Sequence, residues 1–197
     1  MFLSEKQLLV AFGTNQRFGA FSPAELIFEA ARGVAAELGA EMRLSGLFQT
    51  PCFPAGAGPD YVNAAALVTL RQVMAPDAVL AGLHRVEARF GRERGARWAS
   101  RTLDVDLLAM GGMVLPDAET QGHWRRLPAE EQARQTPDRL ILPHPRLQDR
   151  AFVLVPLADV AADWRHPVLG RSVAEMLAAL PQSDRQEVVR LTPAASD

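Results

Sequence analysis

An α+β fold built on a four-stranded antiparallel sheet is what the patterning of this chain predicts, and three observations carry it. Apolar residues recur at strand spacing in four segments and at helical spacing in two others. Their order along the chain is β-α-β-β-α-β. A length of 197 residues suits a single domain able to bury a real core, and 48% hydrophobic with 22% charged residues is ordinary for a globular protein.

Gln7 to Phe12 is a buried apolar strand, ended by Gly13-Thr14-Asn15. Ser22 is an N-cap with Pro23 at the first helical position, and Ala24 to Leu38 carries Leu26, Ile27, Ala30, Ala31, Val34 and Leu38 on one face before Gly39. Glu41 to Gln49 is a second strand, Pro51 to Pro59 a Gly/Pro-rich loop, and Tyr61 to Leu70 a third strand. Pro76-Asp77 opens a helix to about Phe90, with Leu80, Leu83, Val86 and Phe90 on one side. Arg101 to Met110 is the fourth strand. This is the order of the ferredoxin-like βαββαβ core, with both helices on one face of the sheet.

The remainder adds to that core. Residues 116–137 are polar and predict a surface insertion with a short helix from Leu127 to Arg134. Asp149 to Ala161 is apolar and predicts one or two short helices split at Pro156. Ser172 caps a last helix to Leu180, Gln186 to Leu191 returns as an edge strand, and 192–197 form a flexible tail. One domain over 1–197 is expected.

Composition narrows the function classes. A formal net charge of -2 offers no global basic field for nucleic acid, so any anion site must be local. Lys6 is the only lysine against twenty arginines, a bias that weakens arguments from arginine density alone. Cys52 stands alone, which excludes a disulfide framework or thiolate metal cluster. No apolar run reaches transmembrane length and no signal pattern opens the chain, so a cytoplasmic protein without membrane or nucleic-acid partners is expected.

The chemistry concentrates in Arg101-Thr102-Leu103-Asp104-Val105-Asp106. A period of two puts Asp104 and Asp106 side by side on one strand face, where paired carboxylates need a cation. Arg85, Arg89, Arg92, Arg94, Arg97 and Arg101 lie just upstream. Carboxylates for Mg²⁺ and guanidinium forks for phosphate are the parts of phosphoryl transfer. A bare Asp-x-Asp is more often a solvated strand face than a metal site. Pro143-His144-Pro145 adds a histidine on a stiff extended segment, able to donate to a phosphate oxygen.

Taken in order, these blocks resemble the 6-hydroxymethyl-7,8-dihydropterin pyrophosphokinase family. They are Ala11-Phe12-Gly13-Thr14-Asn15, Gln49-Thr50-Pro51, Pro59 to Ala65, Arg85-Val86-Glu87 with Gly91-Arg92, Arg97 to Leu108, and Pro143 to Leu147 with Arg150 to Leu157. The resemblance implies transfer of the pyrophosphoryl group of ATP to the pterin hydroxymethyl group, releasing AMP, in folate biosynthesis. It implies Asp104 and Asp106 as ligands of two Mg²⁺ ions. Arg92 and Arg101 would neutralise the triphosphate, Arg94 and Arg97 would lie on a loop over the nucleotide, and His144, Arg150, Arg139 and Leu107 would complete the ATP site. For the pterin it implies Tyr61 and Phe152 as aromatic faces, Asn63 and the segment Thr50, Pro51 and Phe53 at the polar edge, and Trp98 closing from the loop.

The chain departs from the family pattern at Cys52, at His84 where a glutamine is common, in the length of the Arg92–Trp98 loop, and in the long 116–137 segment. No fused barrel, which needs about 250 residues, is expected within these residues, and a monomer is expected with a dimer as the alternative. Two rival readings remain. One is another two-metal nucleotidyl transferase on the same scaffold, which needs the aspartates and not an aromatic clamp. The other is a non-catalytic ferredoxin-like binding module, which needs a basic sheet face bearing aromatics.

Overall fold

The computed structural model describes residues 3–52, 58–91 and 102–192. β1 (Gln7–Thr14) leads to α1 (Pro23–Glu37), β2 (Ala40–Leu44), β3 (Phe48–Thr50), β4 (Tyr61–Leu70), α2 (Pro76–Arg89) and β5 (Asp104–Met110). α3 (Ala118–Arg126), α4 (Ala129–Arg134) and a 3-10 turn at Leu147–Asp149 follow, then α5 (Ala151–Ala161), α6 (Val173–Ala179), α7 (Gln182–Gln186) and β6 (Val189–Arg190). Among the described residues no helix is long and apolar enough to cross a membrane.

The sheet has six strands, not four. Its order is β5-β1-β4-β3-β6, with β2 also on β4, and every pairing is antiparallel. The expected strand from Glu41 to Gln49 is two strands because Ser45 interrupts the ladder. Its hydroxyl accepts the Ala65 amide at 3.0 Å and donates to the Gly46 carbonyl at 2.6 Å, doing with a side chain what a strand does with its backbone. β6 adds the sixth strand by pairing Phe48 and Gln49 with Arg190 and Val189. Arg190 is held there by Asp159 at 2.5 Å and lies 4.7 Å from the centre of the Phe48 ring.

Helices also cover both faces rather than one. The alternation of β1, β4 and β5 sends Leu8, Val10, Phe12, Ala64, Ala66, Val105 and Leu107 toward Ile27, Val34, Leu83 and Val86 of α1 and α2. It sends Leu9, Ala65, Leu67 and Leu108 toward Leu154, Leu157 and Val160 of α5 and Met176 of α6. Two buried faces require two helical layers. α1 starts where Ser22 and Glu25 form a reciprocal capping box with Pro23 in the first turn, and Ser172 with Glu175 repeats the device at α6.

α5 is one helix running through Pro156, not two. A helix-interior proline costs about 3 kcal/mol. Val153, Leu154, Leu157 and Val160 are all buried along this helix. At roughly 1.5 kcal/mol or more each, their burial exceeds that cost.

Candidate active site

One row of paired residues crosses the sheet and sets the geometry of the site. Phe48 pairs with Asn63, Asn63 with Gly13, and Gly13 with Asp104; in the next row Ala65 pairs with Ala11 and Ala11 with Asp106. Gly13 and Ala11 thus lie between two polar strand ends. Their small side chains leave open space above the sheet on the α5 side. A Cβ at Gly13 would sit 3.2 Å from Asn63 Oδ1.

That space is a cavity of about 740 Å³. Its floor is Ala11, Phe12, Gly13 and Asn63; Asp104 and Asp106 stand at one end, and Thr50, Pro51 and Tyr61 at the other. Arg146, Asp149, Arg150 and Phe152 form the wall where α5 begins, and Asp184, Glu187 and Val188 close the side beyond β3. Strands lie about 4.8 Å apart, so the Asp104 and Asn63 positions, two strands apart, are separated by roughly 10 Å.

At the β5 end the alternation turns Asp104 and Asp106 toward the cavity and buries Leu103, Val105 and Leu107. β5 is an edge strand, and its free amide at Val105 is taken by the wholly buried Glu87 of α2, whose Oε1 accepts it at 2.8 Å. Leu107 packs in the core, so it has only main chain to offer a nucleotide. Arg150 lines the wall; burial pulls its pKa down, while Asp106 and Asp104 oppose that shift. It also stacks 5.6 Å from the centre of the Phe152 ring. Ala151, Phe152 and Val153, the first turn of α5, line the cavity and no side chain caps them, which leaves the positive end of the helix at this wall.

His144, six residues before Arg150, is half-buried and is not among the residues that line the cavity. Its amide donates to the Leu108 carbonyl at 2.8 Å, and its Nδ1 accepts the Arg146 amide at 3.2 Å. Burial, and then Arg150, lower its pKa to about 3 against the opposing pull of Asp104. The ring is therefore neutral at ordinary pH. With Nδ1 accepting, its proton sits on Nε2, which makes it a hydrogen-bond donor without charge.

At the opposite end the fixed group is Asn63. It is buried, and its Nδ2 donates to the buried Thr50 hydroxyl at 2.9 Å. The flanking loops are tied by Asn15 to the Pro59 carbonyl at 3.2 Å and by Gln49 to Asp60 at 2.7 Å. Tyr61 and Phe152 both line the cavity and stay 37% and 40% exposed, so their rings are open to a ligand.

Of the residues singled out from sequence, Asp104, Asp106, Arg150, Thr50, Pro51, Tyr61, Asn63 and Phe152 share this cavity. Arg139 is exposed, paired with Asp138 at 3.1 Å, and is not among the lining residues. Phe53, Arg92, Arg94, Arg97, Trp98 and Arg101 lie outside the described residues. Asp184, Glu187 and Val188 were not anticipated, and no local pattern marks them; the pairing of β6 with β3 brings them to the cavity.

A divalent ion is compatible with these donors. Among the described residues no group of three or more His, Cys, Asp or Glu is arranged to hold a metal. The donor chemistry of the aspartate pair would suit Mg²⁺, which binds through one or two carboxylates and completes its octahedron with phosphates and water.

Comparison with known proteins is consistent across sequence and structure. The model of the 7,8-dihydro-6-hydroxymethylpterin-pyrophosphokinase family matches residues 9–162. The chain is 38% identical over 119 residues to the 2-amino-4-hydroxy-6-hydroxymethyldihydropteridine pyrophosphokinase of Synechocystis sp., covering 60% of this chain and 50% of that one. It is 40% identical over 123 residues to the protein of the same name from Pseudomonas aeruginosa, covering 62% of each. The matches thus span between half and two thirds of these relatives. Among solved structures, Plasmodium falciparum HPPK-DHPS superposes with a TM-score of 0.60 at 14% identity, over 87% of this chain and 44% of that one. An HPPK-DHPS crystallised with substrates gives 0.59 at 12% identity, over 88% and 43%. At such identities these superpositions speak to the fold.

Proposed function

This chain belongs to the 7,8-dihydro-6-hydroxymethylpterin-pyrophosphokinase family, and on that premise we propose that it transfers the β,γ-pyrophosphoryl group of ATP to the hydroxymethyl group of 6-hydroxymethyl-7,8-dihydropterin, releasing AMP, as a step of folate biosynthesis. The observation that carries the reading is the polarity of one cavity. A carboxylate pair faces it from one end, a buried amide with the exposed Tyr61 ring faces it from the other, and the exposed Phe152 ring lies on the wall between them.

Each end has its own task. Asn63, held by Thr50, presents its carbonyl to the donor-rich edge of the pterin while Tyr61 and Phe152 cover the ring faces. A ring so held points its exocyclic hydroxymethyl along the roughly 10 Å span toward Asp104 and Asp106. Those aspartates hold Mg²⁺, in our reading two ions, which when bound neutralises phosphate charge and orients the reacting oxygens. Arg150 and the positive end of α5 attract the triphosphate to the same wall, and His144 donates its Nε2 proton in a hydrogen bond to a phosphate oxygen. Arg92 and Arg101 belong to the same phosphate machinery by resemblance. No strong general base is needed, because positioning and charge neutralisation carry most of phosphoryl transfer. The core order βαββαβ is the ferredoxin-like one, elaborated by β6 and the second helical layer. A cytoplasmic monomer acting on these two small molecules is the simplest form of the proposal.

The identity of the nucleotide product tests it. AMP formed only when the pterin is present supports pyrophosphoryl transfer; ADP, or AMP formed without the pterin, overturns it.

A further inference from the structure

The inserted segment between β5 and His144 reaches into the architecture of the site. Its ends are tied to each other, Leu115 and Leu142 exchanging backbone hydrogen bonds at 2.8 and 3.2 Å. Its helix α3 is capped by Asp117, which accepts the Thr120 amide at 2.8 Å and the Thr120 hydroxyl at 2.9 Å. Gln121, in the first turns of this otherwise polar helix, is completely buried, and its Nε2 donates to the Pro143 carbonyl at 3.2 Å. Its Oε1 is buried with no hydrogen-bond partner among the described residues, so the Nε2 bond is what offsets the cost of burying this amide.

The bond's target explains its position. The Pro143 carbonyl belongs to the peptide unit that joins Pro143 to His144. The other side of that unit is the His144 amide, which donates to the Leu108 carbonyl at 2.8 Å. Leu108 lies on β5 two residues beyond Asp106. One peptide plane is therefore held from both sides, by the strand that carries the aspartate pair and by the insertion. Rotation about the backbone at this point would swing the imidazole, whose Nδ1 is already fixed by the Arg146 amide at 3.2 Å.

We propose that Gln121 of the inserted helix is a positioning residue: through the Pro143–His144 peptide it fixes the His144 ring so that Nε2–H stays aimed at the nucleotide phosphates. The insertion is then a brace for the phosphate end of the site. This rests on the assignment of ATP as a substrate, and the test separates the two.

The substitution Gln121→Met keeps length and bulk while removing the donor, and Gln121→Leu serves as a second variant if the first folds poorly. In AMP formation the expected result is a loss of roughly tenfold in kcat/KM for ATP, with KM for the pterin changed less than about twofold. In a His144→Ala background the same substitution should have no further effect, since the residue acts through that ring. Nitrogen-15 spectra of the histidine rings give a readout independent of turnover: His144 holds the Nε2–H tautomer in the wild type, and Gln121→Met mixes or broadens it. Equal losses with and without His144, or an unchanged His144 ring signal, overturn the proposal. A wild-type protein that makes no AMP but shows the ring coupling overturns the functional reading alone.

Discussion

Replacing Glu87 tests how the aspartate pair is held in place. Its carboxylate is completely buried and accepts the Val105 amide at 2.8 Å, and Val105 itself is only 3% exposed. A hydrogen bond contributes about 0.5–1.5 kcal/mol net, and a buried amide left unpaired costs about 1–3 kcal/mol. Glu87→Ala removes the acceptor, its carboxyl group and one packed methylene, so a loss of about 3 kcal/mol is expected. Glu87→Gln keeps a carbonyl acceptor for the Val105 amide, for about 1 kcal/mol. With a urea m-value of about 2 kcal/mol/M, the midpoints should fall by roughly 1.5 M and 0.5 M. Val105 lies between Asp104 and Asp106 on an edge strand, so Glu87→Ala should also weaken the Mg²⁺ dependence of turnover more than Glu87→Gln does. If both variants unfold within about 0.5 kcal/mol of each other, the bond to Val105 is not what holds this strand end.

Other consequences follow from the same geometry. Gly13→Ala would place a Cβ 3.2 Å from Asn63 Oδ1 and displace the buried amide; KM for the pterin should rise several-fold, roughly 3–10 times, with KM for ATP unchanged in initial-rate measurements. Burial, and secondarily Arg125, lower the pKa of the wholly buried His166 to about 4. The unfolded chain binds that proton near pH 6.5 while the folded chain does not, so stability is full above pH 6.5 and falls as the pH drops toward 4. The loss from His166 should be about 2 kcal/mol by pH 5, read from urea midpoints between pH 7.5 and 5, and His166→Gln should flatten the profile. His144 shifts the same way, to about 3, so its ring should show no titration midpoint above pH 5 by NMR in the free protein.

Much of this molecule is legible from residue order because its strands and helices keep strict periods. β4 spans the apolar run from Tyr61 to Leu70 read as a strand, and α1 begins at its capping box. What escaped depends on contacts distant in sequence. Ser45 breaks a strand through its hydroxyl, which no hydrophobic pattern registers. α5 continues through Pro156 because both sides are buried, a property of the second helical layer and not of the segment. Within the site, Asp104 and Asp106 announce themselves by spacing, whereas Tyr61 and Phe152 could be raised above ordinary core aromatics only by resemblance to a family. Glu87 left a usable signal, a carboxylate on the apolar face of α2 beside Val86 and Leu83. Gln121 left none, since a glutamine in a polar helix looks solvated until the fold seats it against Pro143.

The most direct test of the account is AMP formation from ATP and 6-hydroxymethyl-7,8-dihydropterin by wild type and Asp106→Asn, followed as a function of Mg²⁺, with unfolding midpoints measured alongside. The account predicts a loss of roughly a thousandfold or more in the variant, a shift of the Mg²⁺ dependence to higher concentration, and an intact fold. Wild-type rates and Mg²⁺ dependence in a folded Asp106→Asn protein would contradict it.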